Sequence, residues 1–93
     1  MLDSWIEKAA QMQRETECFP TLTILKAALW LEKKYQEAPH YDLAAITSLH
    51  YLVLALRKKD RGRPLLRDHY TSQALLWRRE AINLLARAAS PSL

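Results

Sequence analysis

Hydrophobic residues recur along this chain at spacings of three and four, with charged residues between them, over four successive segments. That spacing places apolar side chains on one face of an α-helix, and no segment shows the strict alternation of a β-strand. The pattern therefore predicts an all-α chain with four helices, over residues of about 4–16, 21–38, 42–59 and 65–89.

Residues that start or stop helices mark the ends of these segments. Ser4 and Glu7 have the spacing of a capping box, in which a hydroxyl and a carboxylate satisfy the first amide groups of a helix. Asp42 is the expected N-cap of the third helix. Short connections favour a small antiparallel four-helix bundle, formed by a single domain over residues 1–93, with 90–93 as a frayed C-terminal tail.

The third segment is apolar on nearly all sides, which is typical of a buried, central helix. Helices three and four together carry more apolar surface than a lone bundle of this size needs. The surplus predicts an interface with a protein partner or with a second copy in a homodimer. The expected surface anchors are Trp30, Tyr51, Leu75 and Ile82. Trp30 could instead pack under a neighbouring helix, while Trp5 and Trp77 lie on inward faces and are expected in the core. The inward stripe of the fourth helix also includes Leu66 and Leu85.

Charge is concentrated at one place in the chain. The formal net charge is +4, but segment 57–67 alone carries +5, from six basic residues and one aspartate, whereas residues 1–20 carry −2. The basic residues are Arg57, Lys58, Lys59, Arg61, Arg63 and Arg67. Such a cluster favours phosphate contacts, so the alternative function is a nucleic-acid-binding subunit of a larger nucleoprotein complex. The acidic N-terminal segment could also neutralise this basic turn in the folded chain.

The sequence Arg61-Gly62-Arg63-Pro64 resembles the core of an AT-hook, the minor-groove DNA-binding motif of high-mobility-group proteins. In that motif glycine lets the backbone reach the groove floor while the arginines lie along its negative potential. The resemblance covers these four residues, and two leucines follow where an AT-hook usually has further basic residues. The competing interpretation is structural: Gly past the end of one helix and Pro at the start of the next are common helix boundaries.

Residue patterns typical of enzymes and metal sites are missing from the sequence. His40, His50 and His69 have no Cys or His partner at three or four residues, and Cys18 is the only cysteine. The single glycine cannot form a phosphate-binding loop. We therefore expect no enzymatic activity, no cofactor, no metal and no small-molecule substrate. Without a signal peptide or a membrane-spanning segment, the sequence predicts a cytoplasmic adaptor, chaperone-like protein or inhibitor.

Overall fold

Four α-helices, and no strand, make up the part of the chain that the structure describes. Helix α1 spans Leu2–Glu15, α2 spans Thr21–Glu37, α3 spans Tyr41–Asp60 and α4 spans Pro64–Ala89. The computed structural model describes the backbone of residues 2–60 and 64–89, and the side chains of residues 4–57 and 64–88. The predicted helical bundle is confirmed, and each helix end lies within two residues of its expected position.

The helix ends differ in detail from the predicted caps. Helix α1 begins two residues before Ser4, so this serine lies within the first turn and is not the N-cap. Asp42 likewise lies in the first turn of α3, and its backbone N–H donates to Nδ1 of His40 at 3.1 Å. A histidine side chain therefore satisfies one of the free amide groups at this helix start. Helix α4 begins at Pro64, where the missing N–H of proline costs no helical hydrogen bond.

Helix α3 occupies the centre of the molecule, as its apolar pattern predicts. Helices α1, α2 and α4 each pack against α3, and the α3–α4 interface is the most extensive. Over the described residues, α1 and α4 do not approach each other along their backbones. The gap between them is the main feature that positions the candidate site.

Contacts between α3 and α4 establish that these two helices are antiparallel. The rings of Tyr51 and Tyr70 stack with their centroids 6.2 Å apart. Tyr41, at the start of α3, borders the same groove as Leu85, near the end of α4. Residue numbers thus fall along α3 as they rise along α4.

Alanines allow the helices to approach closely in the core. Ala28 of α2 and Ala74 of α4 are both fully buried, and they pack with Leu54 and Val53 of α3. Small residues at a crossing point let two helix axes come together, which places the larger side chains at the flanks of the contact.

Two residues of α4 correct the predicted inward face of this helix. Leu66 and Leu85, expected to point into the core, are both exposed. Helix α4 has 26 residues and α3 has 20. At about 1.5 Å per residue, α4 is roughly 9 Å longer than the helix on which it packs. Its ends therefore keep apolar side chains that α3 does not cover.

Candidate protein-binding surface

The four anchors predicted from the sequence do not share one surface. Trp30 lies on α2 and is 58% exposed, and its ring centroid is 5.4 Å from the Nζ atom of Lys34. Leu75 and Ile82 are both exposed on α4, and they lie seven residues apart, about two helical turns. Leu75 and Ile82 thus form one apolar strip, whereas Trp30 belongs to a separate, basic face of α2.

Tyr51 is not a surface anchor, because the structure buries it. Only 5% of this residue is exposed, and it belongs to the core cluster beside Tyr70. Burial, followed by the charge of Glu32, raises the pKa of the Tyr51 phenol above its ordinary value. The sequence could not exclude this position, because an all-apolar helix does not reveal which of its sides its neighbours cover.

Arg57 is not part of an exposed basic turn either. The residue is 6% exposed, and its guanidinium donates to Oε1 of Gln13 at 2.9 Å and to the carbonyl oxygen of Phe19 at 2.8 Å. Further donors reach the carbonyl oxygen of Thr16 and, at 3.4 Å, Oγ1 of Thr21. Arg57 therefore fastens the α1–α2 connection to α3 through neutral oxygens. The acidic side chains of the first segment take no part in these bonds.

The remaining members of the basic cluster are only partly described. Arg67 is half-exposed and pairs with Oδ1 of the neighbouring Asp68 at 3.2 Å. The side chains of Lys58 and Lys59, together with residues 61–63 of the AT-hook-like sequence, lie outside the described residues. That this turn contacts nucleic acid stays a prediction, and the buried Arg57 is no longer among its predicted contact residues.

An apolar groove runs between α1 and α4, with α3 as its floor. We call it the α1–α3–α4 groove; it is lined by Trp5, Lys8, Tyr41, Ala45, Ser48, Arg78, Ala81, Ile82 and Leu85. Its cavity measures about 250 Å³, and an adjoining depression of about 380 Å³ shares three of these residues. The groove exists because α1 and α4 both pack on α3 while their own backbones stay apart over the described residues.

Trp5 and Arg78 bridge the two sides of this groove. The indole Nε1 of Trp5 donates to Oγ of the buried Ser48 at 3.1 Å, which fixes the ring against α3. The guanidinium of Arg78 lies 5.2 Å from the centre of the Trp5 ring, a cation–π arrangement. Trp5, which was expected in the core, packs against the core cluster but is only half-buried, because its other side lines the groove.

The electrostatics of the groove are one-sided. Lys8 and Arg78 line it, and no carboxylate does among the described residues. A third depression beside it, around Leu75, is bordered by Arg78 and Arg79 and again by no described carboxylate. Within the part of the chain that is described, none of these three cations forms a salt bridge. The surface thus combines an apolar floor with uncompensated positive charge.

A second cleft, between α2 and α4, is lined by two carboxylates, Glu32 and Glu80, together with Arg79. The indole Nε1 of Trp77 donates to Oε1 of Glu32 at 3.2 Å, and the phenol of Tyr35 donates to Oε1 of Glu80 at 2.8 Å. The Tyr35 and Trp77 rings meet edge to face, with centroids 5.0 Å apart. Burial and then the hydrogen bond to Glu80 raise the pKa of Tyr35. These bonds join α2 to α4, so both glutamates stabilise the packing of these two helices.

Other chemistry is sparse in the described residues. His50 bonds the carbonyl oxygen of Ile46 through Nδ1 at 2.8 Å, within its own helix, and Cys18 is a free, exposed thiol. Across residues 4–57 and 64–88 no group of three or more His, Cys, Asp or Glu side chains could hold a metal ion. Of the helices described, none is long and apolar enough to cross a bilayer.

Comparison with known proteins does not assign this chain to a family. No protein-family model matches the chain, and comparisons with curated proteins and with solved structures give no match. The α1–α3–α4 groove and the apolar strip beside it are therefore the basis on which function is argued.

Proposed function

We propose that the chain is a non-catalytic helical interaction module that docks another protein, or a second copy of itself, through the α1–α3–α4 groove. The observation that carries the proposal is the groove's apolar floor, continued by exposed aliphatic side chains on α4. Leu85 is 49% exposed, and Ile82 and Leu75 lie on the same side of the helix axis. Neighbouring exposed apolar side chains with polar groups around them are typical of protein interaction sites.

The exposed aliphatic side chains at the groove can contribute substantially to the affinity for a partner. Burying a leucine or isoleucine side chain completely contributes about 1.5–3 kcal/mol, so covering the exposed half of Leu85 contributes about 1 kcal/mol. Similar gains at Leu75 and Ile82 bring the sum to about 3 kcal/mol, or roughly a hundredfold in affinity. These three residues, with the half-buried Trp5, would form the energetic centre of such an interface.

A pull-down from the native host tests this function, because it can be run with and without nuclease. The chain carrying Leu85→Lys is compared with wild type and with Leu29→Lys, since Leu29 on α2 has almost the same exposure, 52% against 49%. We expect a protein partner that survives nuclease, persists with Leu29→Lys and falls at least tenfold with Leu85→Lys.

Two results would overturn the proposal. If Leu85→Lys and Leu29→Lys reduced capture of the partner equally, the groove would not be the binding surface. Complete loss of all partners on nuclease treatment would favour the nucleic-acid alternative, which then depends on the basic turn without the buried Arg57. Light scattering on the same three proteins tests self-association. If wild type is a dimer, Leu85→Lys should be a monomer and Leu29→Lys should remain a dimer.

A further inference from the structure

The charge pattern of the α1–α3–α4 groove restricts what can occupy it. Lys8 lies on the α1 side and Arg78 on the α4 side, with the apolar floor between them. Among the described residues, no carboxylate lines the groove and neither cation forms a salt bridge. The ring of Trp5 holds the Arg78 guanidinium in place, so this cation is oriented before any partner arrives.

We infer that the occupant is an amphipathic helix whose apolar stripe is flanked by acidic residues. This inference rests on the proposed function and specifies its partner. A helix fits because the groove lies between two helices, and the stretch from Leu75 to Leu85 extends about 15 Å, or nearly three turns. Anchors spaced at i, i+3, i+4 and i+7 on the partner would meet Trp5, Ile82 and Leu85. Acidic residues on its flanks would meet Lys8 and Arg78.

A nucleic acid matches the same surface less well. The two rings that line the groove already have partners, since Arg78 lies over Trp5 and the Tyr41 ring stacks on His40 with centroids 4.4 Å apart. The remaining apolar lining is aliphatic and offers no face on which a base can stack. Two cations would neutralise two phosphates, which gives a slope of log affinity against log salt of only about −1.8. The apolar floor would then contribute nothing to a phosphate backbone, whereas it supplies most of the contact to a helix.

Two synthetic peptides test the inference directly on the full chain. Both carry leucine at i, i+3, i+4 and i+7, and they differ only in having glutamate or lysine on the flanks. Fluorescence anisotropy should give the glutamate peptide an affinity about tenfold higher, as expected for two partly exposed ion pairs. The preference should shrink in 0.5 M salt, where the screening length is about 4 Å.

Charge reversal in the protein tests the role of the groove cations, with a charge-matched variant on α2 as the control. The double variant Lys8→Glu/Arg78→Glu should bind the lysine peptide in preference to the glutamate peptide. Lys26→Glu/Lys33→Glu changes the net charge equally on the exposed face of α2 and should keep the wild-type preference. Circular dichroism checks that each variant folds, and Lys8→Glu alone replaces the double variant if Arg78→Glu unfolds the chain.

Several results would overturn the inference. The protein could bind the two peptides equally or bind neither of them. The Lys8→Glu/Arg78→Glu variant could still prefer the glutamate peptide. Duplex DNA or phosphatidylserine vesicles could bind more tightly than the glutamate peptide. Each of these leaves the proposed function standing if capture of a native protein still depends on Leu85 and not on Leu29. If that dependence is also absent, both proposals are wrong.

Discussion

Replacing Arg57 with methionine should destabilise the fold far more than replacing an exposed arginine. The Arg57 guanidinium is the group that joins the end of α1 and the α1–α2 connection to α3. Methionine fills a similar volume but donates no hydrogen bond. The change therefore isolates the hydrogen bonds from the packing of the side chain.

The expected cost follows from the fate of the acceptors. A hydrogen bond from a charged donor contributes about 1.5–3 kcal/mol, and a buried acceptor without a partner costs about 1–3 kcal/mol. The Thr16 carbonyl keeps a second donor, the backbone N–H of Phe19 at 2.9 Å. Relief of the guanidinium's desolvation lowers the cost further. We expect a net loss of about 2–4 kcal/mol in the free energy of unfolding.

Urea denaturation followed by circular dichroism at 222 nm measures this loss. Arg79→Met is the control, because Arg79 is exposed and the substitution should cost less than about 0.5 kcal/mol. Arg57→Lys should recover part of the stability, since a single ammonium group reaches fewer of the oxygens. The reasoning is refuted if Arg57→Met and Arg79→Met unfold at the same urea concentration.

Two further predictions concern the core. Leu54 is completely buried, so Leu54→Ala should lower the free energy of unfolding by about 2–5 kcal/mol. Leu65 is 86% exposed, so Leu65→Ala should change it little. Similar urea midpoints for the two variants would contradict the assigned core. The unfolded chain releases the Tyr51 proton near its ordinary pKa of 10.0, while the folded chain, with its raised pKa, retains it. The contribution of Tyr51 to the free energy of unfolding is therefore constant below about pH 10 and falls above it. In urea titrations between pH 8 and 11, the free energy of unfolding of Tyr51→Phe should decline less steeply than that of wild type. Identical declines would argue against burial of the phenol.

The sequence predicted the helices well because their signals are local. Apolar spacing and proline positions identified all four segments, and the all-round apolar pattern correctly placed α3 at the centre. Local signals also identified Leu75 and Ile82 as exposed, because they lie on the side of α4 away from its inward stripe.

Long-range contacts account for the residues that the sequence misplaced. The bonds from Arg57 reach acceptors 36 to 44 residues away in the chain, and those from Trp77 and Tyr35 reach glutamates 45 residues away. Nothing in the local pattern marks such partners. Trp5 packs against the core cluster, as expected, but the separation of the α1 and α4 backbones leaves its other side at the groove.

Site-specific photo-cross-linking in the native host tests the docking surface most directly. A photoreactive phenylalanine derivative replaces Leu85 at the α1–α3–α4 groove in one variant and Leu29 on α2 in the other, at nearly equal exposure. Mass spectrometry then identifies the cross-linked product. The proposed function predicts a defined protein adduct, either a partner or a second copy of the chain, from position 85 and none from position 29. Equal adducts from both positions, none from either, or an adduct with nucleic acid alone would contradict it.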